Sequence, residues 1–171
     1  DRAYEVVDRA KKLVQPGDDF EENIEKFSQQ MDMARVNKRL QKAQDFLKQE
    51  NAASALAECE ATLKAYPNHP YVLFIMAQAY LSRADIAEGK DALNRASKAC
   101  KNNDDLLEAI KNNLEQIEEH GGQIILSKAV PEMQAERWKA AIAYLEKGED
   151  LKPPDAHVTF YESVCYARMG Q

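Results

Sequence analysis

The stretch that decides the fold is RVNKRLQKAQDFLKQENAASALAECEATLKAYPN, residues 35–68, followed directly by HPYVLFIMAQAYLSRADIAEGKDALNRASKACKN, residues 69–102. When the two are aligned at a shift of thirty-four residues, small residues fall on small ones and large apolar residues on large apolar ones. A period of this length with two helices per period indicates stacked helical hairpins. The aligned pairs are Ala43 and Ala77, Phe46 and Tyr80, Ala55 and Gly89, Cys59 and Leu93, and Ala65 and Ala99.

The composition of the chain favours helices throughout. Hydrophobic residues make up 44% of the 171 residues and charged residues 30%, which is typical of a soluble globular protein. Only 6 Gly and 6 Pro interrupt the chain, and no window alternates as a strand does, so we expect an all-α fold. The net charge of −6 argues against a nucleic-acid partner. The longest apolar stretch, residues 71–81, is too short for membrane insertion.

The repeat phase is interrupted once. Ala77 and Ala129 are 52 residues apart, which is one period plus eighteen residues, or about one helix and a turn. We therefore expect either an extra helix over residues 104–119 or a loop missing from the sequence nearby. Gly121 and Gly122 are expected to form the turn that follows this helix. The apolar positions that predict it recur at spacings of three and four: Leu107, Ile110, Leu114 and Ile117.

With these positions in place, the sequence resembles tetratricopeptide repeat proteins. That family has a small residue and an aromatic in the first helix of each repeat, then Ala in the second helix and Pro at its end. The resemblance implies helix-turn-helix repeats stacked in a right-handed solenoid over residues 35–171. The matching positions are Ala43, Phe46, Ala55 and Pro67; Ala77, Tyr80, Gly89 and Ala96; Ala129, Trp138, Ala141, Leu145 and Pro153; and Ser163, Tyr166 and Gly170.

The predicted organisation has four parts. Residues 1–34 form a degenerate N-terminal capping helical pair, with a helix that packs into the groove as the alternative. Residues 35–101 form two repeats, and residues 102–120 form the inserted helix. Residues 121–171 form one repeat and the first helix of a truncated repeat.

The resemblance also implies a partner-binding surface, because the first helices of such repeats line the concave face. The lining is mostly apolar with scattered amides. Lys and Asn clamps that grip acidic peptide ends are absent, since Leu40 and Gln44 stand at the first clamp pair. The alternative is that some of these side chains belong to the core or pack against residues 1–34. The predicted positions are Leu40, Gln44, Leu47, Tyr71, Phe74, Gln78, Leu81, Leu126, Val130, Met133, His157, Phe160 and Val164.

No constellation of residues predicts catalysis, a metal or a cofactor, so we expect that the chain is not an enzyme. The three histidines are far apart and share no ligand spacing, which favours surface or turn positions. Cys59 occupies a slot that Leu93 fills in the next repeat, which predicts a buried structural thiol. The three cysteines fit no disulfide framework and weakly favour the cytoplasm. Because the chain opens at Asp1, a removed targeting segment stays open.

These observations predict a scaffold or adaptor that binds another protein. An apolar concave groove suits a partner helix or an extended segment laid in it. The alternative is a structural role, as one segment of a larger solenoid or as a chain that self-associates end to end. That alternative rests on Phe160 and Tyr166, which would need a cover if the final half-repeat were exposed.

Overall fold

The computed structural model describes residues 2–15 and 18–170, and every regular element in them is helical. The all-α prediction is confirmed. The helices are α1 (Arg2–Leu13), α2 (Asp19–Lys48), α3 (Ala52–Leu63), α4 (Pro70–Ser82), α5 (Ile86–Ala99), α6 (Asp104–Gln134), α7 (Trp138–Leu145) and α8 (Ala156–Arg168). A short 3₁₀ helix, Glu146–Asp150, extends α7.

Side-chain caps fix where four of the helices begin. Asp18 accepts a hydrogen bond from the amide of Phe20 at the start of α2, and Asn51 accepts one from Ser54 at the start of α3. Asn103 caps α6, and Asp155 caps α8. Each cap satisfies an amide that has no partner within its own helix, so the sequence specifies these boundaries locally.

The helices pack in an alternating pattern. Each helix contacts the next along the chain, and the even-numbered helices also contact one another in succession: α2 with α4, α4 with α6, and α6 with α8. Within the described residues, α3 and α5 make no contact with each other. The even-numbered helices therefore form a continuous layer, and α3, α5 and α7 each pack against two successive members of it.

Two clusters of buried apolar residues stabilise this arrangement. One lies between α2, α3 and α4 and includes Ala43, Ala55 and Cys59. The other extends from α4 to α8. Leu63, Phe74 and Tyr80 pack against both clusters, so the core is continuous along the chain.

The boundaries expected near residues 34 and 120 are not helix ends. Helix α1 lies before residue 34, and α2 begins before it but continues to Lys48, so residue 34 is inside a helix. Pro16 and Gly17 also predict a turn in this segment, and both residues lie outside the described residues. The extra helix expected over 104–119 is the first half of α6, which continues to Gln134.

The turn expected at Gly121 and Gly122 is wrong, because both glycines lie inside α6. They are small because the connection between the 3₁₀ helix and α8 crosses α6 at this point. A Cβ added to Gly121 would lie 2.6 Å from Leu151 Cδ2, and one added to Gly122 would collide with the carboxylate of Asp155. The sequence signal was therefore close approach between segments rather than a turn.

The helix boundaries reveal a second, longer repeat. Ala52 and Trp138, which begin α3 and α7, are 86 residues apart. Pro70 and Ala156, which begin α4 and α8, are separated by the same 86 residues. The starts of α1 and α5, and of α2 and α6, agree with this offset to within two residues. Helices α1 to α4 therefore correspond to helices α5 to α8 in order and in length class.

Candidate partner-binding surface

All thirteen predicted site residues lie on even-numbered helices, and none of them is fully buried. Four are exposed and the other nine are half-buried. The exposed residues are Gln44, Tyr71, His157 and Phe160. By helix, the positions are Leu40, Gln44 and Leu47 on α2; Tyr71, Phe74, Gln78 and Leu81 on α4; Leu126, Val130 and Met133 on α6; and His157, Phe160 and Val164 on α8.

The positions on α2 and α4 lie on two helices that contact each other. Leu40, Leu47 and Phe74 pack against the first core cluster and keep part of their surface accessible. Gln44 is exposed and Gln78 is half-buried, so amide groups are available beside the apolar ones. This combination can bury apolar side chains of a partner and still hydrogen-bond to its backbone.

Leu81 has a different surrounding from the other positions on α4. Its side chain packs at Gly89 of α5, where an added Cβ would lie only 2.8 Å from Leu81 Cδ2. The small residue at Gly89 lets α4 and α5 approach closely, as the repeat pattern predicts. Leu81 therefore contributes to packing between helices, and substitution there would disturb the core.

The length of α6 separates the later positions from the earlier ones. Asn103, which caps α6, donates a hydrogen bond from Nδ2 to the Tyr71 hydroxyl at the start of α4, at 2.7 Å. Lys90 Nζ of α5 lies 3.1 Å from Glu118 Oε1, so the first half of α6 runs beside α5. At about 1.5 Å per residue, Leu126 lies about 33 Å along α6, whereas α4 is only about 20 Å long.

The thirteen positions thus form two groups rather than one uninterrupted line. The first group lies on α2 and α4, and the second lies on the distal half of α6 and on α8. The sequence could not reveal this separation, because the turn expected at Gly121 would have brought Leu126 back alongside α4.

Two polar residues near the start of α4, His69 and Asn103, were not among the predicted site residues. His69 is half-buried, and its Nδ1 atom has no hydrogen-bond partner. Burial lowers the pKa of His69 below its ordinary value, so the imidazole is neutral near pH 7. Asn103 contacts Tyr71 from 32 residues away, and no local pattern in the sequence marks that pair.

Reactive groups are few among the residues that the structure describes. Cys59, Cys100 and Cys165 are buried and free, which confirms the interpretation of Cys59 as a buried thiol. Burial and the neighbouring Glu58 and Glu60 raise the pKa of Cys59 to about 12, so its nucleophilic thiolate is scarce at neutral pH. No group of metal-binding side chains comes together in the described ranges.

The histidines divide into two kinds. His120 and His157 are exposed, as predicted for surface positions. His69 precedes the first residue of α4 and is half-buried.

Within the described ranges, no helix combines the length and the apolar character needed to cross a membrane.

The fold and the surface together define a structural class: an all-α protein in which even-numbered helices form a continuous layer. Neither a protein-family model, nor a curated protein, nor a solved structure matches the chain.

Proposed function

We propose that this chain is a scaffold or adaptor that binds a helix or an extended segment of another protein. The proposal treats the helices as tetratricopeptide-type hairpins stacked in a solenoid, with the even-numbered helices lining the concave side. The observation that carries it is the location of the predicted positions: all thirteen lie on the four helices that contact one another in succession, and all retain accessible surface.

The first group of positions is the main binding surface in this proposal. It combines the apolar side chains of Leu40, Leu47 and Phe74 with the amides of Gln44 and Gln78. An amphipathic helix could bury its apolar stripe against the former, whereas an extended segment could bond its backbone to the latter. The second group, on α6 and α8, would contact a different part of the same partner or a second partner.

Site-specific photo-crosslinking tests this proposal directly. A benzophenone amino acid is placed at Gln44 or Gln78, and crosslinking is performed in cells that produce the protein. Matched control positions are Ala57 and Asn94, which are exposed on the odd-numbered helices α3 and α5. We expect one discrete protein adduct from Gln44 and Gln78 and none from the controls.

A competition variant makes the test quantitative. Gln44→Glu combined with Tyr71→Glu places two charges on the first group without entering the core, since both residues are exposed. The adduct formed from Gln78 should decrease at least about tenfold, because a partner that buries apolar surface would have to desolvate these charges. Adducts that come only from Ala57 or Asn94, or that survive the double substitution, would contradict the proposal.

A further inference from the structure

A groove lies between α3 and α5 on the side of the molecule formed by the odd-numbered helices. These two helices pack on α4 but make no contact with each other within the described residues. Met76 and Tyr80 of α4 form the floor of the groove, and Ala87 and Ala92 of α5 form the apolar part of one wall. Its volume is about 320 Å³, which is enough for a long side chain of a bound partner.

Carboxylates give this groove a negative charge. Glu88 and Asp91 of α5 line it. Burial, and after it the carboxylates of Glu60 and Glu88, raise the pKa of Tyr80, so Glu60 of α3 acts at the same place. Glu60 and Glu88 are exposed and form no ion pair in the described part of the chain. Arg95 also lines the groove but lies 3.7 Å from Asp91, so the unpaired charge is negative.

The second half of the molecule contains the same tyrosine–glutamate pair in a closed form. Tyr166 and Glu146 are the counterparts of Tyr80 and Glu60, each 86 residues later in the chain. The Tyr166 hydroxyl donates a hydrogen bond to Glu146 Oε1 at 3.1 Å. Among the residues that the structure describes, the Tyr80 side chain makes no such bond. The pair in the first half is therefore available to a group from outside the chain.

The chain also shows how it holds a cation beside a tyrosine. Lys147 Nζ lies 5.0 Å from the centre of the Tyr144 ring and 2.6 Å from Asp85 Oδ1. A ring face and a carboxylate bind an ammonium group together, because the ring quadrupole and the full negative charge both attract it. At Tyr80 a ring and carboxylates also come together, but Arg83, whose charge acts on this tyrosine, is already paired with Asp85 at 3.0 Å.

We propose that the groove between α3 and α5 binds a basic segment of another protein, through a lysine or arginine that lies over Tyr80. The methylene stem of that side chain would pack along Met76 and Ala92, and its charged end would reach Glu60 and Glu88. Charge complementarity selects this occupant, because an acidic segment or a nucleic acid would meet unpaired carboxylates of its own sign.

This groove is separate from the surface proposed for the even-numbered helices, and it uses no residue of either group there. The two control positions for crosslinking are exposed and point out of the groove. Ala57 is turned about 60° from Glu60 around α3, and Asn94 about 100° from Arg95 around α5. The inference therefore goes beyond the proposed function, and either one can fail without the other.

The test uses three labelled peptides and two double variants. The peptides are short, carry fluorescein and the same leucines, and have lysine, arginine or glutamate at their charged positions. Glu60→Gln with Glu88→Gln removes two charges from the groove without a change in side-chain size. Glu5→Gln with Glu25→Gln removes two exposed charges from α1 and α2 and is the matched control. Circular dichroism establishes that both variants are folded.

Fluorescence anisotropy measures binding up to about 1 mM protein, a range that covers weak contacts. Wild type and the control variant should bind the lysine and arginine peptides but not the glutamate peptide. For the Glu60→Gln, Glu88→Gln variant the Kd should rise about five- to tenfold, because each ion pair lost at a solvent-accessible site weakens binding about two- to threefold.

Carbodiimide crosslinking of the bound lysine peptide then identifies the carboxylates that it contacts, since this reagent joins an amine directly to a carboxylate without a spacer. Mass spectrometry should locate the adducts at Glu60, Glu88 or Asp91. Adducts confined to other carboxylates would overturn the inference, as would a wild type that binds none of the peptides.

Two further outcomes would contradict the inference. Equal weakening in both double variants would mean that the peptides respond only to the net charge of −6. Displacement of the lysine peptide by spermidine at an equal concentration would mean that the groove accepts a free polyamine rather than a protein segment.

Discussion

Small residues decide how closely the segments of this protein approach one another. Gly89 of α5 contacts the side chain of Leu81 of α4. A Cβ atom added to Gly148 would lie only 2.5 Å from Val158 Cγ1. Ala43, Ala55 and Ala77, which are small positions of the repeat pattern, are buried as well. Gly121 and Gly122 were misassigned to a turn because the segment that crosses them lies 30 residues later in the chain, where no local pattern records it.

At Gly122 an added side chain would collide with the residue that caps α8. In an unconstrained helix, Gly→Ala would stabilise by about 1 kcal/mol. Here the new methyl group would displace Asp155, whose carboxylate caps α8 through the amides of His157 and Val158. We expect Gly122→Ala to lower the free energy of unfolding by about 1–2 kcal/mol, because a lost cap and local overpacking act together.

Chemical denaturation measures this effect, and Gln123→Ala provides the control. Gln123 is the exposed neighbour of Gly122 in α6, so its replacement should change stability by no more than about 0.5 kcal/mol. If Gly122→Ala proved as stable as wild type, the close crossing of Asp155 over α6 would be incorrect.

Among the elements, the even-numbered helices share one type of ending. The residue after the C-cap of α2, α4 and α6 has a positive φ of 57°, 58° and 56°, respectively. In each case the following amide bonds back to the carbonyl five residues earlier, as in a Schellman motif. This ending turns the chain directly into the next helix. The three residues are Glu50, Ala84 and Glu136, with hydrogen bonds from Asn51 to Phe46, Asp85 to Tyr80, and Arg137 to Glu132.

Two of these positions are occupied by glutamate, which a left-handed backbone disfavours. The conformation costs a residue with a Cβ about 1–2 kcal/mol, whereas glycine adopts it freely but loses about 0.5–1 kcal/mol of chain entropy. We therefore expect Glu136→Gly to raise the free energy of unfolding by about 0.5–1 kcal/mol, measured by thermal or chemical denaturation.

Gln134→Gly is the matched control for that prediction. Gln134 is the last residue of α6 and is equally exposed, but its backbone is helical. Glycine there should destabilise, because it only adds entropy to the unfolded chain. Equal effects at the two positions would show that the positive φ of Glu136 does not govern the end of α6.

Helix lengths were the part of the fold that the sequence predicted least well. Some helix starts are specified locally by a capping side chain, such as those at Asn103 and Asp155. The boundary placed after residue 34 came from the repeat period, and no proline or glycine marks it. Because α2 continues through residue 34, the boundary between repeat periods in the sequence is not the end of a helix.

For the molecule as a whole, the all-α class of the fold could be predicted, but the lengths and the arrangement of the helices could not. Small residues at a period of thirty-four residues indicated paired helices, since only close packing requires them at such spacing. The 86-residue correspondence escaped because the eighteen residues that interrupt the thirty-four-residue phase were interpreted as an insertion rather than as part of a longer repeat. The candidate site is divided into two groups because α6 is long, and this length could not be read from its side chains.

Helices α1 and α5 differ in how many elements pack against them, which predicts a difference in their local stability. Among the described residues, α1 packs on α2 alone, whereas α5 packs on α4, α6 and the 3₁₀ helix. Local opening of α1 therefore exposes less apolar surface, and its free energy should be smaller. In dilute solution, amides of α1 should exchange with deuterium about ten to a hundred times faster than those of α5, because the free energy of local opening is smaller for α1.

Hydrogen-exchange mass spectrometry of the dilute protein measures the exchange rates of both helices under the same conditions. Protection of α1 equal to that of α5 in dilute solution would contradict the premise that contacts with α2 alone hold α1 in place.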